Sequence, residues 1–380
     1  MLDLHWTGCH IDLGATGTGI TMDRKNVVEA GQNRPQTDDT PAPKMGPIAL
    51  IEKDIAERVR AATSFSGNIH WGTDKNILSV LDVRIERCGD DFRVFAADLD
   101  RNSGPIKIVI ERIPTVITHM YNAGPSVERL MFDLSDGHVP SVADYAFSSF
   151  DPDMKLIPDI FFVNRRGYQP MRDFAQENDV PWAERSNDII WRGRLNGAGL
   201  FSVEPSQKDN PLVRQRLRMA MHASETGVDF KFASGVTKIE EYFLAKAGLL
   251  VDHMPTRSWI TRKFAIDIDG FSCAWDNFFI RRLQGTCVLK VESQMGFRQW
   301  YYHLLKPFEH YVPIKKDLSD LKEKVDWVLT HDAEAQAIAE NGRKLADAIT
   351  WDAVMDEAAA DIRQNYLSTT LQNFLGKDVL

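Results

Sequence analysis

The spacing of hydrophobic positions is clearest between residues 259 and 318. Short apolar runs typical of β-strands lie at FAIDID and TCVLKVE, and WDNFFIRRLQG between them has the spacing of one amphipathic helix. The order strand, helix, strand predicts a βαβ unit of a parallel sheet. Because ligands of such sheets bind outside the carboxyl ends of the strands, candidate binding residues are Asp269, Gly270, Glu292 and Ser293.

The rest of the chain shows the same two spacings. In the first half, a helix is predicted at about 49–63, a β-hairpin at about 76–100 and a second helix at about 106–121. In the second half, the strand DIIWRGR begins a series of helices and strands that ends with an amphipathic helix at about 351–366. This alternation predicts the α/β fold class.

Shifts in composition divide the chain into four segments. Residues 1–48 contain AGQNRPQTDDTPAPKMGP, which is rich in Pro, Thr and Asp, and are predicted to be an extended or partly disordered arm. The polar stretch YQPMRDFAQENDVPWAERSND contains two prolines and predicts a boundary near 175–185 between a first α/β lobe, 49–180, and a second, 181–350. The segment 351–380 is predicted to be a C-terminal helix.

Length and composition favour a soluble protein of two domains. The 380 residues are 43% hydrophobic and 26% charged, and no apolar run approaches the roughly 18 residues of a membrane span. The first residues lack the basic start and apolar core of a secretory signal, so we expect a cytoplasmic protein. The net charge of −9 disfavours a nucleic-acid partner. Four widely spaced cysteines argue against a disulfide framework and a zinc site.

Two arginines at the end of a predicted strand suit a nucleotide diphosphate. In DIIWRGRLNG, Arg192 and Arg194 flank Gly193. Guanidinium groups bind phosphates bidentately, and glycine lets backbone N–H groups approach a ligand closely. The alternative is a surface arginine pair at the end of a strand.

Lys263 and Lys290 are further cationic candidates for ligand binding. Lys263 precedes FAIDID, and Lys290 lies within the apolar run VLKVES, where an unpaired lysine is costly to bury. We therefore expect Lys290 either to pair with Asp269 or to reach a bound ligand. Glu292 and Ser293 are candidates for holding ribose hydroxyls, and a simple surface turn is the alternative.

Two patterns that resemble ligand sites receive a plain structural interpretation. The arginines of the predicted helix LVRQRLRMA are interpreted as a solvated helix face, and they are Arg214, Arg216 and Arg218. The sequence GATGTG at 14–19 lacks the Lys-Ser/Thr ending of a phosphate loop and follows no clear strand.

Three D-x-D triplets, at 98–100, 151–153 and 267–269, raise the question of a divalent cation. Two carboxylates on one strand face can hold Mg²⁺ or Mn²⁺ that bridges a diphosphate. Such triplets arise often by chance in a chain with 54 acidic residues. We therefore predict no metal site, and interpret Asp267 as structural and Asp269 as a turn residue near the ligand.

Four spaced motifs resemble those of glycosyltransferase family 90. They are K-F-x-I-D-I-D-G, A-W-D, L-x-G-x-C-V-L-K-V and H-Y-V-P-x-x-x-D-L, in that order, and the likeness extends over about 157–342. The family includes bacterial lipopolysaccharide- and capsule-modifying transferases and the eukaryotic protein O-glucosyltransferases. The resemblance implies a GT-B-like fold of two Rossmann-like lobes, with the active site in the cleft between them and the terminal helix packed across both.

The resemblance also implies an activity. It is the inverting, metal-independent transfer of a sugar from a nucleotide sugar, of the UDP-glucose or UDP-xylose type, to a hydroxyl of a glycan such as lipopolysaccharide core or capsule. The UDP-sugar is then a co-substrate, no cofactor is expected, and a lipid-linked acceptor would bring the protein to a membrane surface. The second lobe, with the W-R-G motif, would hold the donor, and the first lobe would face the acceptor.

An inverting transfer needs a carboxylate that takes the acceptor proton on the side opposite the leaving diphosphate. In the family this base is an aspartate of the N-terminal lobe, where the present sequence diverges most. The candidates are, in order of preference, Asp100, Asp98 and Asp136. Each of them also suits a turn or a helix cap.

One position departs from the eukaryotic branch of the family, which carries an arginine where this chain reads CAWDN. Asp276 in that position cannot hold a phosphate directly. Either Lys290 or Arg194 supplies the cation, or Asp276 accepts a hydrogen bond from a sugar hydroxyl. The pattern is closer to the bacterial lipopolysaccharide-modifying branch, which favours a glycan acceptor over a folded protein.

Rival functions stay open at this point. One is a metal-dependent GT-A-type transferase that uses Asp267 and Asp269. Another is a non-catalytic protein that binds a nucleotide sugar or a glycan and lacks a working base. A glycoside hydrolase with a carboxylate pair is disfavoured, because the arginine motifs would then have no purpose.

Overall fold

The computed structural model describes residues 47–98 and 104–375, whose elements group around two main β-sheets. We call the elements up to residue 177 the first lobe; in chain order they are α1 (Pro47–Ala62), β1 (Ile69–Thr73), β2 (Asp82–Cys88), β3 (Asp91–Ala96), α2 (Gly104–Ala123), β4 (Arg129–Asp133), β5 (Tyr145–Ala146), β6 (Ser148–Ser149), β7 (Lys155–Leu156), α3 (Ile160–Asn164) and α4 (Gln169–Glu177). The predicted arm and the GATGTG sequence lie outside the described residues, apart from Pro47 and Ile48 at the start of α1.

The elements that follow form the second lobe and a terminal helix. The second lobe contains β8 (Ile190–Arg194), α5 (Gln215–Ala223), β9 (Asp229–Ser234), α6 (Lys238–Lys246), β10 (Phe264–Asp267), α7 (Asp276–Leu283), β11 (Cys287–Val291), β12 (Arg298–Gln299), β13 (Val312–Ile314), α8 (Leu321–Thr330) and α9 (Asp332–Ala348). Short 3₁₀ turns lie at Trp182–Glu184, Pro205–Gln207, Thr256–Thr261 and Tyr302–Leu304. The terminal helix is α10 (Trp351–Leu375).

The sheet of the first lobe has six strands in the order β1-β3-β2-β4-β5-β7. The predicted hairpin is confirmed as β2 and β3, where Cys88 pairs with Asp91 and the tight turn between them carries Gly89 at φ +63°. Glycine adopts this left-handed conformation without a steric penalty. The predicted helix at 106–121 is confirmed as α2, which buries one apolar face in the core of the lobe with Val109, Ile113, Val116, Ile117 and Met120.

The sheet of the second lobe has five parallel strands in the order β13-β11-β10-β8-β9. The predicted βαβ unit is confirmed as β10, α7 and β11, with Phe264 opposite Cys287 and Asp267 opposite Lys290. Helices cover both faces of a parallel sheet, which explains the nearly continuous apolar runs of these strands. The carboxyl ends of β8 and β10 therefore open toward the same edge of the sheet.

The two lobes are joined by more than the connecting chain. Strand β6 pairs antiparallel with β12, with Ser148 opposite Gln299 and Ser149 opposite Arg298. Helix α10 lies against α2 and contributes Ile362 to the core of the first lobe, while Val354 near its start packs in a cluster with α7. The terminal helix thus contacts both lobes, and the boundaries at 180 and 350 stay predictions.

No helix in the described part of the chain is long and apolar enough to cross a lipid bilayer.

Cys88, Cys273 and Cys287 are free thiols, and burial raises the pKa of Cys273 to about 12. The fourth cysteine, Cys9, lies outside the described residues.

Two carboxylates face each other in the first sheet. Asp82 on β2 is opposite Asp133 on β4, and both side chains are buried. Burial raises the pKa of Asp133 to about 6, the Ser135 amide and hydroxyl oppose that change, and Asp82 adds to it. Burial also raises the pKa of Asp82. The folded protein therefore holds protons here that the unfolded chain has already released.

We expect the free energy of unfolding of the wild-type protein to fall, relative to that of Asp133→Asn, as the pH rises from about 4 to about 6. The difference between 3.8 and about 6 in the pKa of Asp133 corresponds to about 2–3 kcal/mol, lost as the buried carboxyl ionises. Urea unfolding of both proteins at about pH 4.5 and about pH 7 measures this difference. Asp74→Asn is a control of opposite sign, because the Asn76 amide and Arg84 lower the pKa of Asp74. Equal pH dependence of wild type and Asp133→Asn would contradict the expectation.

Candidate active site

A cavity of about 220 Å³ opens between the lobes at the carboxyl ends of β8 and β10. The first lobe contributes Asp136 and Phe161, and the second lobe contributes the two strand ends and the loop 270–277 that leads into α7. Parallel α/β sheets bind ligands at this position. A larger cavity, about 510 Å³, lies between α10 and the first residues of β4 and β5. None of the predicted site residues lines it. The predicted site residues that line the interlobe cavity are Asp136, Arg192, Gly193, Arg194, Gly270 and Asp276.

Gly193 lets the indole of Trp191 lie flat at the cavity. The Trp191 ring stacks on Phe230, with ring centroids 4.1 Å apart, and the guanidinium of Arg216 lies 5.0 Å from its centroid. A Cβ atom at position 193 would come within 2.5 Å of Cζ2 of Trp191. The close approach of the backbone to this ring therefore requires glycine.

Gly193→Ala is expected to weaken UDP binding, because the added methyl group pushes Trp191 out of its stack. Overpacking of this kind lowers stability by about 1–3 kcal/mol. Isothermal titration with UDP measures the affinity, and urea unfolding measures the stability. The matched control is Gly227→Ala at a turn with φ +76° and no atom near the added Cβ, which should reduce stability without changing UDP affinity. Equal UDP affinities of the Gly193→Ala and wild-type proteins would refute this role of Gly193.

Arg216 on α5 holds the ends of β8 and β10 together. Its guanidinium donates to the carbonyl oxygens of Ile268 and Asp269 at 2.9 Å and of Arg194 at 2.7 Å, and also to the side-chain oxygen of Asn196. Burial lowers the pKa of Arg216 to about 10, and Asp269 opposes that change. The loops that shape the cavity therefore depend on a buried cation.

The interpretation of the α5 arginines as a solvated helix face is wrong. Arg216 and Arg218 are buried, and Arg214 forms an ion pair with Glu240 at 2.7 Å. The sequence did contain a signal for this burial. Leu217, Met219, Ala220 and Met221 follow one another around the helix, and a helix that is apolar on all sides is buried, so its charged residues need partners.

Arg192 and Arg194 line the cavity in different ways. The guanidinium of Arg192 forms an ion pair with Asp229 and donates to the carbonyl oxygens of Trp191 and Asp229 at 2.8 and 2.7 Å. Arg194, at the end of β8, lies near α6, where Lys238 and, more weakly, Arg194 lower the pKa of Glu241. Both arginines thus line the cavity, and both also interact with acidic residues of the second lobe.

Lys290 pairs with Asp267, which corrects the predicted pairing with Asp269. Nζ of Lys290 lies 2.6 Å from Oδ2 of Asp267, and both side chains are almost fully buried. Burial opposes the charge of Lys290, but Asp267 and then Asp269 raise its pKa. Lys290 does not line the cavity. It therefore neutralises the strand end of β10.

Asp269 and Gly270 follow β10 directly. Burial raises the pKa of Asp269 to about 6, against the opposing effects of Lys290 and Ser293. Asp269 does not line the cavity, whereas Gly270 does, and a Cβ at position 270 would come within 2.4 Å of the side chain of Asn196. The backbone at Gly270 is therefore the part of this turn that a ligand meets.

The structure does not bring three other predicted residues to the cavity. Lys263 lies at the opposite end of β10, where it is buried in an ion pair with Asp332 at 2.8 Å. The Glu292 side chain is exposed and accepts a bond from the Lys316 amide, and Oγ of Ser293 accepts a bond from the Phe297 amide at 2.7 Å. The position of Lys263 corrects the prediction that it binds the donor, whereas donor binding by Glu292 and Ser293 stays a prediction.

Among the candidate bases, Asp136 is the one that the described residues bring to the cavity. It follows β4, and Oδ1 accepts a hydrogen bond from Arg112 at 2.7 Å. Asp98 is exposed in the segment after β3 and does not line the cavity. Asp100 lies outside the described residues. Of the two candidates that can be compared, Asp136 lies at the cavity and Asp98 does not, and the identity of the base stays a prediction.

Asp276 is the first residue of α7 and lines the cavity on the side of the second lobe. Its carboxylate pairs with Arg165 at 2.6 Å. The preceding Trp275 has φ +49° and ψ −120°, a conformation that residues other than glycine rarely adopt. Its indole lies 5.0 Å from the Arg112 guanidinium and packs edge-on against Phe161. This segment therefore connects the second lobe to the residues around Asp136.

The lining carboxylates are all paired with cations that lie outside the cavity lining. Asp136 pairs with Arg112, Asp267 with Lys290 and Asp276 with Arg165. The lining contains four arginines against these three aspartates, and each aspartate also has a cation outside the lining, so the cavity favours an anionic ligand. Sequence reasoning missed Arg281, whose guanidinium lies 4.0 Å from the Trp259 ring centroid and whose pKa is lowered to about 9 by burial.

Metal binding through the third D-x-D triplet does not fit this arrangement. Asp267 is committed to Lys290, and Asp269 does not line the cavity. In residues 47–98 and 104–375, no group of three or more His, Cys, Asp or Glu side chains is arranged to hold a metal ion.

Comparison with known proteins identifies similar chains. The family model described as "Glycosyl transferase family 90" matches residues 163–366. Protein O-glucosyltransferase 3 of Homo sapiens is 31% identical over 172 residues, which cover 45% of this chain and 30% of the human protein. Uncharacterized protein 035R of Invertebrate iridescent virus 3 is 36% identical over 173 residues, which cover 42% of this chain and 15% of the viral protein. The matches thus span less than a third of these relatives.

Solved structures also show likeness. An α,α-trehalose 6-phosphate synthase from Burkholderia multivorans is 10% identical with a TM-score of 0.38, covering 86% of this chain and 97% of that chain. The Anabaena protein HepE, solved in complex with UDP and glucose, is 12% identical with a TM-score of 0.32, covering 57% of this chain and 56% of that chain. Both TM-scores are below 0.5.

Proposed function

This chain belongs to glycosyl transferase family 90, and from that premise we propose that it transfers a sugar from a UDP-sugar to a hydroxyl of a glycan, with inversion and without a metal ion. It is a glycosyltransferase with the two-lobed α/β architecture of the GT-B type. The observation that carries the finer proposal is the position of Asp136, which lines the same interlobe cavity as four arginines of the second lobe.

The donor diphosphate, in this proposal, lies between the end of β8 and the loop that leads into α7. Arg194 and Arg281 line that space, and Arg216 holds the two strand ends that frame it. Cations and backbone N–H groups aimed at the leaving diphosphate stabilise the charge that grows on it during transfer. Gly193 and Gly270 keep the backbone free of Cβ atoms on this side.

Asp136 acts as the base. As the acceptor oxygen forms its bond to the anomeric carbon, its proton passes to the Asp136 carboxylate. The bond between the anomeric carbon and the phosphate oxygen breaks on the opposite face, and UDP leaves with the electron pair. The products are the inverted glycoside, UDP and one proton, so the step needs no further reactant.

The acceptor belongs to the proposal as well. We take it to be a glycan such as lipopolysaccharide core or capsule, with the protein in the cytoplasm and at a membrane surface only through a lipid-linked acceptor. The support is the CAWDN segment, in which Asp276 is held by Arg165 and is available to a sugar hydroxyl rather than to a phosphate. The name of the human relative refers to a protein acceptor, but the match covers 30% of that protein.

A screen of nucleotides and nucleotide sugars by thermal unfolding tests the proposal. A ligand at about 100 times its dissociation constant adds about 2.7 kcal/mol to the free energy of unfolding. We expect UDP and one UDP-sugar to raise the Tm, and ADP and GDP sugars to leave it unchanged. No rise with any nucleotide would overturn the proposal.

Two further assays address the rivals. Full activity in the presence of a chelator would exclude the GT-A-type use of Asp267 and Asp269, which their placement also disfavours. A non-catalytic binding protein would bind UDP yet release none from any UDP-sugar offered with a glycan array. UDP release with one acceptor of that array would identify the acceptor and exclude this rival.

A further inference from the structure

One buried arginine connects the proposed base to the opposite lobe. Arg112 on α2 donates from Nη2 to Oδ1 of Asp136 and from Nη1 to the carbonyl oxygen of Leu134, both at 2.7 Å. It thereby fixes both the backbone that enters this loop and the carboxylate on it. The guanidinium also lies 5.0 Å from the Trp275 ring centroid, and Trp275 belongs to the loop between β10 and α7.

Trp275 is itself held from the first lobe. Its indole packs edge-on against Phe161, with ring centroids 5.8 Å apart. The Arg165 guanidinium lies 5.3 Å from the centroid of the same Phe161 ring. The same Arg165 pairs with Asp276, the residue after Trp275. A tryptophan with φ +49° persists only where its surroundings determine its conformation, and here they are supplied by the first lobe.

We propose that Arg112 and Trp275 are positioning residues that set the Asp136 carboxylate for proton transfer, and that they do so as one unit across the cleft. The inference rests on the proposed role of Asp136 as the base. Arg112 orients Oδ1, so that Oδ2 takes the acceptor proton, and Trp275 holds the plane of the Arg112 guanidinium. Since Trp275 lies in the loop that lines the donor side, the base is aligned by the same segment that meets the donor.

The alternative is that both residues only support the fold or the donor site. Misplacement of a catalytic group by about 1 Å can lower a rate about 100-fold without changing what binds. A positioning role therefore affects kcat and leaves nucleotide affinity almost unchanged. A donor-binding role affects both together, and a purely structural role affects stability.

The experiment uses Arg112→Gln, Trp275→Leu and their combination, with Arg112→Lys and Trp275→Phe as conservative counterparts. Release of UDP from UDP-glucose and from UDP-xylose, with water as the acceptor, gives kcat and KM, titration with UDP gives the dissociation constant, and Tm reports folding. We expect kcat to fall about 10- to 100-fold in each disruptive variant, with UDP affinity within about twofold of wild type. The conservative variants should recover most of the rate.

The combination is the decisive measurement. If the two residues act as one unit, the double variant is no slower than the slower single variant, whereas independent effects multiply. Multiplying effects, an unchanged kcat in folded Arg112→Gln or Trp275→Leu, or a loss of UDP affinity parallel to the loss of kcat would each overturn the inference. Should Arg112→Gln fail to fold, the comparison of Trp275→Leu with Trp275→Phe decides alone.

Failure of this inference is distinguishable from failure of the proposed function. A wild-type kcat in Asp136→Asn would show that Asp136 is not the base. It would refute both the proposed role of Asp136 and the positioning role of Arg112 and Trp275. Loss of activity in Asp136→Asn together with wild-type kcat in Arg112→Gln and Trp275→Leu would remove only the positioning role.

Discussion

Asp136→Asn is expected to lower the rate of sugar transfer by a factor of about 10² to 10⁴ while UDP binding stays unchanged. The asparagine keeps the size of the side chain and can still accept the hydrogen bond from Arg112, but it cannot take the acceptor proton. UDP-sugar turnover measures the rate, and isothermal titration with UDP measures the binding. Asp136 belongs to the first lobe, whereas the diphosphate is proposed to bind at the strand ends of the second lobe. The affinity for UDP should therefore not depend on the charge of Asp136.

The matched controls are the two aspartates that the sequence favoured over Asp136. Asp98→Asn alters an exposed side chain that does not line the cavity, so we expect near wild-type turnover. Asp100→Asn tests the position outside the described residues. Loss of turnover only in Asp98→Asn or Asp100→Asn would transfer the base to that residue. Loss of UDP affinity in Asp136→Asn would show that its role is in binding.

Lys290→Met should destabilise the protein by about 3–5 kcal/mol, because it leaves the buried carboxylate of Asp267 without its cation. The methionine keeps the apolar length of the lysine side chain and removes the ammonium, whose Nζ lies 4.8 Å from the ring centroid of Phe278 and 4.6 Å from that of Tyr302. The loss therefore reports on the missing charge and its contacts rather than on the volume of the side chain. Urea unfolding at neutral pH measures it, with the slope compared to confirm that the extent of unfolding is the same.

Two controls separate the buried pair from ion pairs in general. Lys290→Met combined with Asp267→Leu removes both charges and should recover most of the stability, since replacing a whole buried pair is often neutral. Lys322→Met removes a lysine that pairs with Asp326 at 2.9 Å on the surface and should cost less than about 1 kcal/mol. A similar small cost for Lys290→Met would mean that Asp267 finds another partner or is protonated.

The sequence predicted elements well where local pattern and burial agree. The runs FAIDID and TCVLKVE are buried on both faces in a parallel sheet, so a short continuous apolar run was a sufficient signal for β10 and β11. The hairpin of β2 and β3 was predictable because Gly89 supplies the turn between two alternating runs. The motifs around these strands were specific enough to indicate the family, which the match over 163–366 confirms.

The charged residues of the candidate site were harder to predict, because their partners are distant in sequence. Lys263 meets Asp332, 69 residues away, and Arg165 meets Asp276, 111 residues away. Lys290 is 23 residues from Asp267, beside which it lies only because β10 and β11 pair in register. No periodicity within a single helix or strand indicates which of several charges will be neutralised in this way.

Asp136 illustrates the same limit. Its own surroundings in sequence, DLSDGH, suit an ordinary turn, and nothing local distinguishes it from Asp98. Only the direction of β4 and the contact with Arg112 bring it to the cavity. Its position at the cavity thus depends on the packing of α2 against the sheet and on the approach of the other lobe.

The antiparallel contact between β6 and β12 has a consequence for how the molecule melts. Arg298 on β12 also donates to the carbonyl oxygens of Asp151 and Met154. A side chain of the second lobe thus supplies hydrogen bonds to backbone groups of the first lobe. Unfolding of either lobe would break the hydrogen bonds between β6 and β12 and the contacts that α10 makes with both lobes. Heating should therefore disrupt both sheets in one cooperative transition, although a chain with two separate cores would ordinarily show two.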